Sequence, residues 1–152
     1  MPSFDDWRAI CETKARYCRC LDTKDWEGYA DCFTENFELE TPPYTEVQKG
    51  RDTIVAKIRE MLDTSITTHH VHNPEIVFDG SDAADVIWAM QDRNVWSPER
   101  RAQVKNGGHI GFGHYHERYV RCADGKWRIS RSRLSYLHLD QFDVADAQNN
   151  SS

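Results

Sequence analysis

The stretch Ala84-Asp85-Val86-Ile87-Trp88-Ala89-Met90-Gln91-Asp92-Arg93-Asn94-Val95-Trp96 decides the fold. It has the length and period-two alternation of a long β-strand, which puts Trp88, Met90, Asp92, Asn94 and Trp96 on one face. An apolar face broken by Asp92 and Asn94 has the make-up of a pocket wall with a few polar groups. The exposed face of a curved sheet is the competing reading.

Working outward, strands are predicted on both sides. Thr67 to Val71 and Glu75 to Phe78 precede it, closed by an Asp79-Gly80 turn. Ser97 to Gly108 follows; it is polar, holds Pro98 and Gly107-Gly108, and is expected as an exposed loop. His109 to Cys122 is the next long strand, with Phe112, His114, His116 and Arg118 on one face and Tyr115, Glu117 and Tyr119 on the other. Ala123-Asp124-Gly125 is a hairpin turn. Lys126 to His138 is the last strand, on which Trp127, Ile129, Arg131 and Arg133 share a face.

The N-terminal half has a different period. Trp7, Ile10, Cys11, Ala15, Cys18 and Leu21 are spaced mostly by three or four, one buried stripe on a long first helix that ends near Asp22. Asp25 caps a short second helix through Trp26, Tyr29 and Cys32. A strand from Phe37 to Glu40 runs into a Pro42-Pro43 break. Gly50-Arg51-Asp52 opens a third helix with Ile54, Ile58 and Met61. Three helices followed by an antiparallel meander make an α+β domain over residues 1–142, with a polar tail over 143–152. A strongly curved sheet covered by the helices would enclose a pocket against the long first helix.

Bulk properties narrow the function. The 152 residues suffice for one domain with one core, and a formal net charge of -6 disfavours nucleic acid and anionic membranes as partners. Met1 to Arg8 has no basic start followed by an apolar run, so no signal peptide is expected, and a cytoplasmic location follows. The five cysteines, Cys11, Cys18, Cys20, Cys32 and Cys122, form no CxxC pair and read as reduced packing thiols. His70 with His72, and His114 with His116, are i, i+2 pairs, but no zinc-binding spacing accompanies them, so no metal is expected. No glycine-rich phosphate loop and no GxSxG elbow occur.

Three segments carry a resemblance. They are Arg16-Tyr17-Cys18-Arg19-Cys20-Leu21-Asp22-Thr23-Lys24-Asp25-Trp26 with Cys32-Phe33-Thr34, then Thr67-Thr68-His69-His70, and finally Asp124-Gly125-Lys126-Trp127-Arg128-Ile129. In this order and at these distances the chain resembles the SnoaL-like branch of the nuclear transport factor 2 superfamily. The resemblance implies a cone-shaped α+β barrel. It leans toward the branch holding scytalone dehydratase, bile-acid 7α-dehydratase and hexachlorocyclohexane dehydrochlorinase, in which an aspartate orients a histidine base without a cofactor. Carried over, the aspartate falls on Asp22 and the histidine on His69. The bile-acid enzyme's tyrosine falls on Tyr17, its strand aspartate on Asp92, and its last-strand arginine near Arg131 or Arg133. Scytalone dehydratase has serine and asparagine where this chain has His114 and His116, and a tyrosine where it has Leu21, so its substrate is not implied. In ketosteroid isomerase the catalytic carboxylate falls on Thr41; the adjacent Glu40 points to the opposite face, which disfavours that route.

The chemistry fits these residue types. A neutral imidazole is a suitable base near pH 7, and a carboxylate on its other nitrogen fixes the tautomer. One direct hydrogen bond between Asp22 and His69 is expected, and His70 should point away. Tyr17 stands five residues before Asp22, about 500° around a helix, so the two share no stripe. Tyr17 is either a hydrogen-bond donor to substrate or a plain amphipathic-helix residue. Trp88, Met90, Asn94, Phe112, His114, His116 and Arg131 are the expected substrate-binding residues. The leading expectation is a lyase that dehydrates a small hydrophobic or polycyclic alcohol. The alternatives are a polyketide cyclase or epoxide hydrolase using the same pair, and a non-catalytic binding or assembly subunit like the β-subunit of a ring-hydroxylating dioxygenase. Relatives of this fold cover the open face of the sheet, so a homo-oligomer, dimer or trimer, is expected.

Overall fold

The structure is a computed structural model that describes residues 1–42 and 46–143. Pro43 of the expected Pro42-Pro43 break lies outside the described residues, as does the polar tail beyond Asp143.

The first helix, α1, spans Phe4–Thr23. Ser3 caps it: its hydroxyl accepts from the Asp6 amide while Asp6 accepts from the Ser3 amide, a reciprocal capping box. Lys24, in the left-handed region, ends it. The buried stripe is Ile10, Thr13 with Lys14, Tyr17 with Cys18, and Leu21. Two expected members stand off it: Trp7 is 40% exposed and stacks on Phe4, and Ala15 is exposed. Lys14, a charged residue outside the expected stripe, is fully buried.

Asp25 caps α2 (Trp26–Ala30) by accepting from the Gly28 amide, and Gly50 precedes α3 (Arg51–Leu62). Between them run β1 (Phe33–Glu40), four residues longer at its start than expected, and the two-residue β2 (Gln48–Lys49). The two strands expected over 67–78 are one, β3 (Ile66–Asp79), whose ladder slips between Val71 and Pro74. β4 (Ala83–Val95), β5 (Gly108–Arg121) and β6 (Trp127–Phe142) complete the meander. The expected loop after β4 holds a further helix, α4 (Pro98–Val104), with Ser97 as N-cap and proline in its first turn.

The six strands form one sheet in the order β2-β1-β6-β5-β4-β3, antiparallel except for the β1–β6 pair. The fold is α+β with N-terminal helices on a curved sheet, as expected, and the sheet remains unclosed with β2 and β3 at its edges. The core lies between its inner face and α1: Val86, Trp88 and Met90 of β4, Tyr115 and Tyr119 of β5, and Trp127 and Ile129 of β6. The Thr13 hydroxyl donates to the Trp127 carbonyl at 2.9 Å and ties α1 to β6. All five cysteines are free.

Two one-residue bulges shape β6. Arg118 pairs with Arg131 but Tyr119 with Ile129, which leaves Ser130 extra; Phe112 pairs with His138 but Gly113 with Tyr136, which leaves Leu137 extra. Each bulge reverses which face the following side chains take. The inner face of β6 therefore reads Trp127, Ile129, then Ser132, Leu134 and Tyr136, then Leu139 and Gln141.

Candidate active site

Between α1, α3, α4 and the inner sheet face lies a cavity of about 410 Å³. Ile54, Ile58 and Leu62 of α3 and Tyr17 and Leu21 of α1 give it an apolar wall. His69, Asp92, Asn94, His109 and Tyr136 bring polar atoms to the sheet side. This is the composition of a small-molecule site: mostly apolar, with a few converging polar groups.

Asp22 sits in the last turn of α1 and reaches β3. Its Oδ1 accepts from His69 Nδ1 at 2.7 Å and from the Thr67 hydroxyl at 3.0 Å; its Oδ2 accepts from the His69 amide at 2.8 Å. Lys24 Nζ donates to the Thr67 hydroxyl at 2.8 Å, extending the chain to the helix C-cap. The expected Asp22–His69 hydrogen bond is thus present. Because the carboxylate accepts, the proton between them belongs to Nδ1 of the imidazole, and the lone pair of a neutral ring is on Nε2. Among the described residues no side chain hydrogen-bonds Nε2, and the ring lines the cavity. His70 is exposed on the other face, as alternation requires.

The helix runs undistorted through Thr23, so Tyr17 and Asp22 do not approach each other. Tyr17 lines the cavity while Asp22 stands behind His69. Burial, then the neighbouring Tyr115 and Tyr29, pushes the Tyr17 hydroxyl well above its ordinary range.

Asp92 is buried on β4, opposite His69 in the ladder. Its Oδ2 receives Asn94 Nδ2, His109 Nε2 and the Tyr136 hydroxyl, each at 3.1 Å. Burial alone would raise this carboxyl, but the hydrogen bond and charge of His109, the charge of His69 and the Tyr136 hydroxyl outweigh it, so Asp92 is held below its ordinary value. Gly111, across the ladder, makes room: a Cβ there would collide with Asp92 Oδ1 and the Tyr136 ring.

Under the cavity floor, Lys14 Nζ donates to Glu117 Oε1 at 2.7 Å, and both side chains are fully buried. The ammonium lies 3.8 Å from the Tyr17 ring centroid and 3.6 Å from that of Tyr115. Glu117 also accepts from Tyr119 at 2.7 Å and Ser132 at 3.1 Å.

Several expected substrate-binding residues lie elsewhere. Trp88 and Met90 share the inner face with Asp92 but are packed into the core rather than lining the cavity. Phe112, His114 and His116 are on the outer face of β5, because its inner face is the other set, Gly111, Gly113, Tyr115, Glu117 and Tyr119. Arg131 is outside as well, 3.6 Å from Glu40, since the Ser130 bulge turns it away. Arg133 follows it in parity. Asn94 does line the cavity. His109 and Tyr136 were missed: His109 shares the period of Tyr115 and Glu117, a signal that was available, whereas Tyr136 depends on the bulge. Among the described residues no group of three or more His, Cys, Asp and Glu side chains is placed to hold a metal ion, and no helix is long and apolar enough to cross a membrane.

Known proteins share this architecture. A variant of Rv3472, a protein of unknown function from Mycobacterium tuberculosis, superposes with a TM-score of 0.72 at 28% identity, over 88% of this chain and 72% of that one. A candidate scytalone dehydratase from Novosphingobium aromaticivorans superposes with a TM-score of 0.76 at 25% identity, over 93% of this chain and 90% of that one. A type 2 hexachlorocyclohexane dehydrochlorinase gives 0.77 at 15% identity, over 91% and 90%, a likeness of fold alone. Residues 2–133 match the SnoaL-like domain, and the chain belongs to that family.

Proposed function

We propose that the protein is a cofactor-free lyase that removes water from a small hydrophobic or polycyclic alcohol. One observation carries this reading: the Asp22-held imidazole of His69, whose Nε2 has no side-chain partner among the described residues, lines a largely apolar cavity of about 410 Å³. His69 Nε2 takes the proton beside an activating carbonyl, the C–H pair becomes the new C=C bond, and the C–O bond breaks. Asp22 stabilises the imidazolium that forms. Tyr17 and the Asp92 group serve the oxygen. A pair separated by more than about a hydrogen-bond length and a filled cavity would have favoured a binding or assembly subunit instead.

The test is a panel of hydroxylated polycyclic ketones, followed by the absorbance of the conjugated alkene. For an accepted compound, His69→Ala should lower the rate by about 10²–10⁴-fold, the usual worth of a positioned base. Retained elimination would remove His69 from the chemistry, and ring closure or hydrolysis in place of elimination would select the cyclase or hydrolase reading.

We also propose a cytoplasmic homo-oligomer, dimer or trimer, in which copies meet on the outer sheet face, where Phe112 is 38% and Leu137 77% exposed. Sedimentation showing monomer alone would refute the oligomer.

A further inference from the structure

The cavity has a second imidazole–carboxylate pair. His109 opens β5 beside Asn94 of β4, with the edge of its ring against Trp96, centroids 5.2 Å apart. It is mostly buried and lines the cavity.

Its Nε2 stands between two opposite partners: Asp92 Oδ2, an acceptor, at 3.1 Å, and Asn94 Nδ2, a donor, at 2.8 Å. A protonated Nε2 donates to Asp92, and that bond is kept whether or not Nδ1 carries a proton. The ring is therefore held in place on both sides of a proton transfer at Nδ1. Among the described residues Nδ1 has no hydrogen-bond partner. A group that gives and regains a proton during a turnover needs this immobility.

The other candidates for that role are less suited. Asp92 is held ionised and has no proton to give. Tyr17 has its hydroxyl pushed well upward by burial, which makes it a weak acid. His69 and His109 stand two strands apart on one inner face and two residues out of line, His69 level with Gly111 and His109 with Thr67, which separates their backbones by about 11–12 Å by strand spacing and rise. Both side chains line the one cavity between them, so a ligand seated there lies within reach of both rings.

We infer that His109, oriented by Asp92 and Asn94, is the general acid of the site: it protonates the leaving oxygen while His69 takes the carbon-bound proton. This rests on the proposed lyase reading. The balance is complete: the C–H pair forms the π bond, the C–O pair goes to oxygen, His69 gains one proton and His109 gives one through Nδ1. Asp92 keeps Nε2–H, and solvent returns the protons.

The test needs no natural substrate. 5-Nitrobenzisoxazole and unsubstituted benzisoxazole both undergo base elimination: the ring C–H proton leaves, the nitrile forms, and the N–O bond breaks to a phenoxide. The nitro probe releases a stable phenoxide, whereas the unsubstituted probe releases a basic one that gains from an acid. His109→Gln should widen the rate gap between the two probes by about tenfold or more, within the range of acid catalysis. His69→Ala should remove the rate on both. In the native protein, which avoids any folding defect, the unsubstituted probe should give a bell-shaped pH profile and the nitro probe a single rise. An unchanged gap in His109→Gln, or profiles of one shape for both probes, overturns the assignment of His109 alone. A native rate no higher than buffer, or one indifferent to His69→Ala, overturns the base reading and this inference with it.

Discussion

Asp22 grips His69 twice, through the backbone amide at 2.8 Å and through ring Nδ1 at 2.7 Å. One carboxylate thus fixes both the position of the strand residue and the orientation of its ring. Asp22→Asn keeps the shape but loses the charge that favours the imidazolium and one of two acceptor oxygens, so its amide group meets Nδ1 and favours the wrong tautomer. Elimination of 5-nitrobenzisoxazole should fall by about 10²–10⁴-fold. An unchanged rate would mean that the ring needs no orienting group.

Lys14→Met should be among the most destabilising single changes in the chain. It leaves Glu117 charged and fully buried without its cation. Breaking a buried pair from one side costs about 3–5 kcal/mol, read from the urea midpoint. Lys14→Met combined with Glu117→Leu should recover only part of the loss, since it removes the unpaired charge but leaves the Tyr119 and Ser132 hydroxyls without this acceptor.

Gly111→Ala tests the close approach of β5 to Asp92. The added methyl meets Asp92 Oδ1 and the Tyr136 ring, so one or both must shift. Overpacking of this kind costs about 1–3 kcal/mol. The catalytic loss should exceed what the remaining folded fraction explains, because the Asp92–His109 contact moves as well. A variant with native stability and native rates would show that the strand yields freely.

Acid stability should report the carboxylates. The Ser3 amide holds Asp6 at about 2 from an ordinary 3.8, against the opposing effect of burial, with help from the Ser3 hydroxyl, Arg121 and Trp127. Its folded value is depressed, so its contribution is present above 3.8 and is lost as pH falls toward about 2. Asp92, also depressed, acts in the same direction. In tryptophan fluorescence, native protein should unfold progressively below pH 3.8, and Asp6→Asn should flatten that dependence. Equal slopes for the two proteins would discount the cap.

Much of this architecture is legible in the chain. The alternation from Ala84 to Trp96 gives β4 and its inner face, and Asp25 and Gly50-Arg51-Asp52 mark two helix starts. The pairing of Asp22 with His69 came from resemblance, because no periodicity links a helix end to a strand that far along the chain. The rest was hidden for physical reasons. Alternation assigns two faces to β5 but does not say which is inner, so the sequence does not reveal that Phe112, His114 and His116 face outward and His109 inward. A bulge adds one residue with little compositional mark, so strict alternation along β6 gives no sign that Arg131 faces outward and Tyr136 inward. In α4, Ser97-Pro98 is a readable start signal, but a seven-residue helix whose aliphatic side chains are Ala102 and Val104 shows no apolar period.

The unclosed sheet has a cost borne by the strand that carries His69. β3 is an edge strand: Asp22 takes the His69 amide, but the edge beyond it offers amides and carbonyls to a passing extended segment. Pro74 offers no N–H, and the ladder slips between Val71 and Pro74, so an invading chain would lose its hydrogen bonds after a few residues. That interruption guards the strand that carries His69 against edge-to-edge pairing with neighbouring molecules.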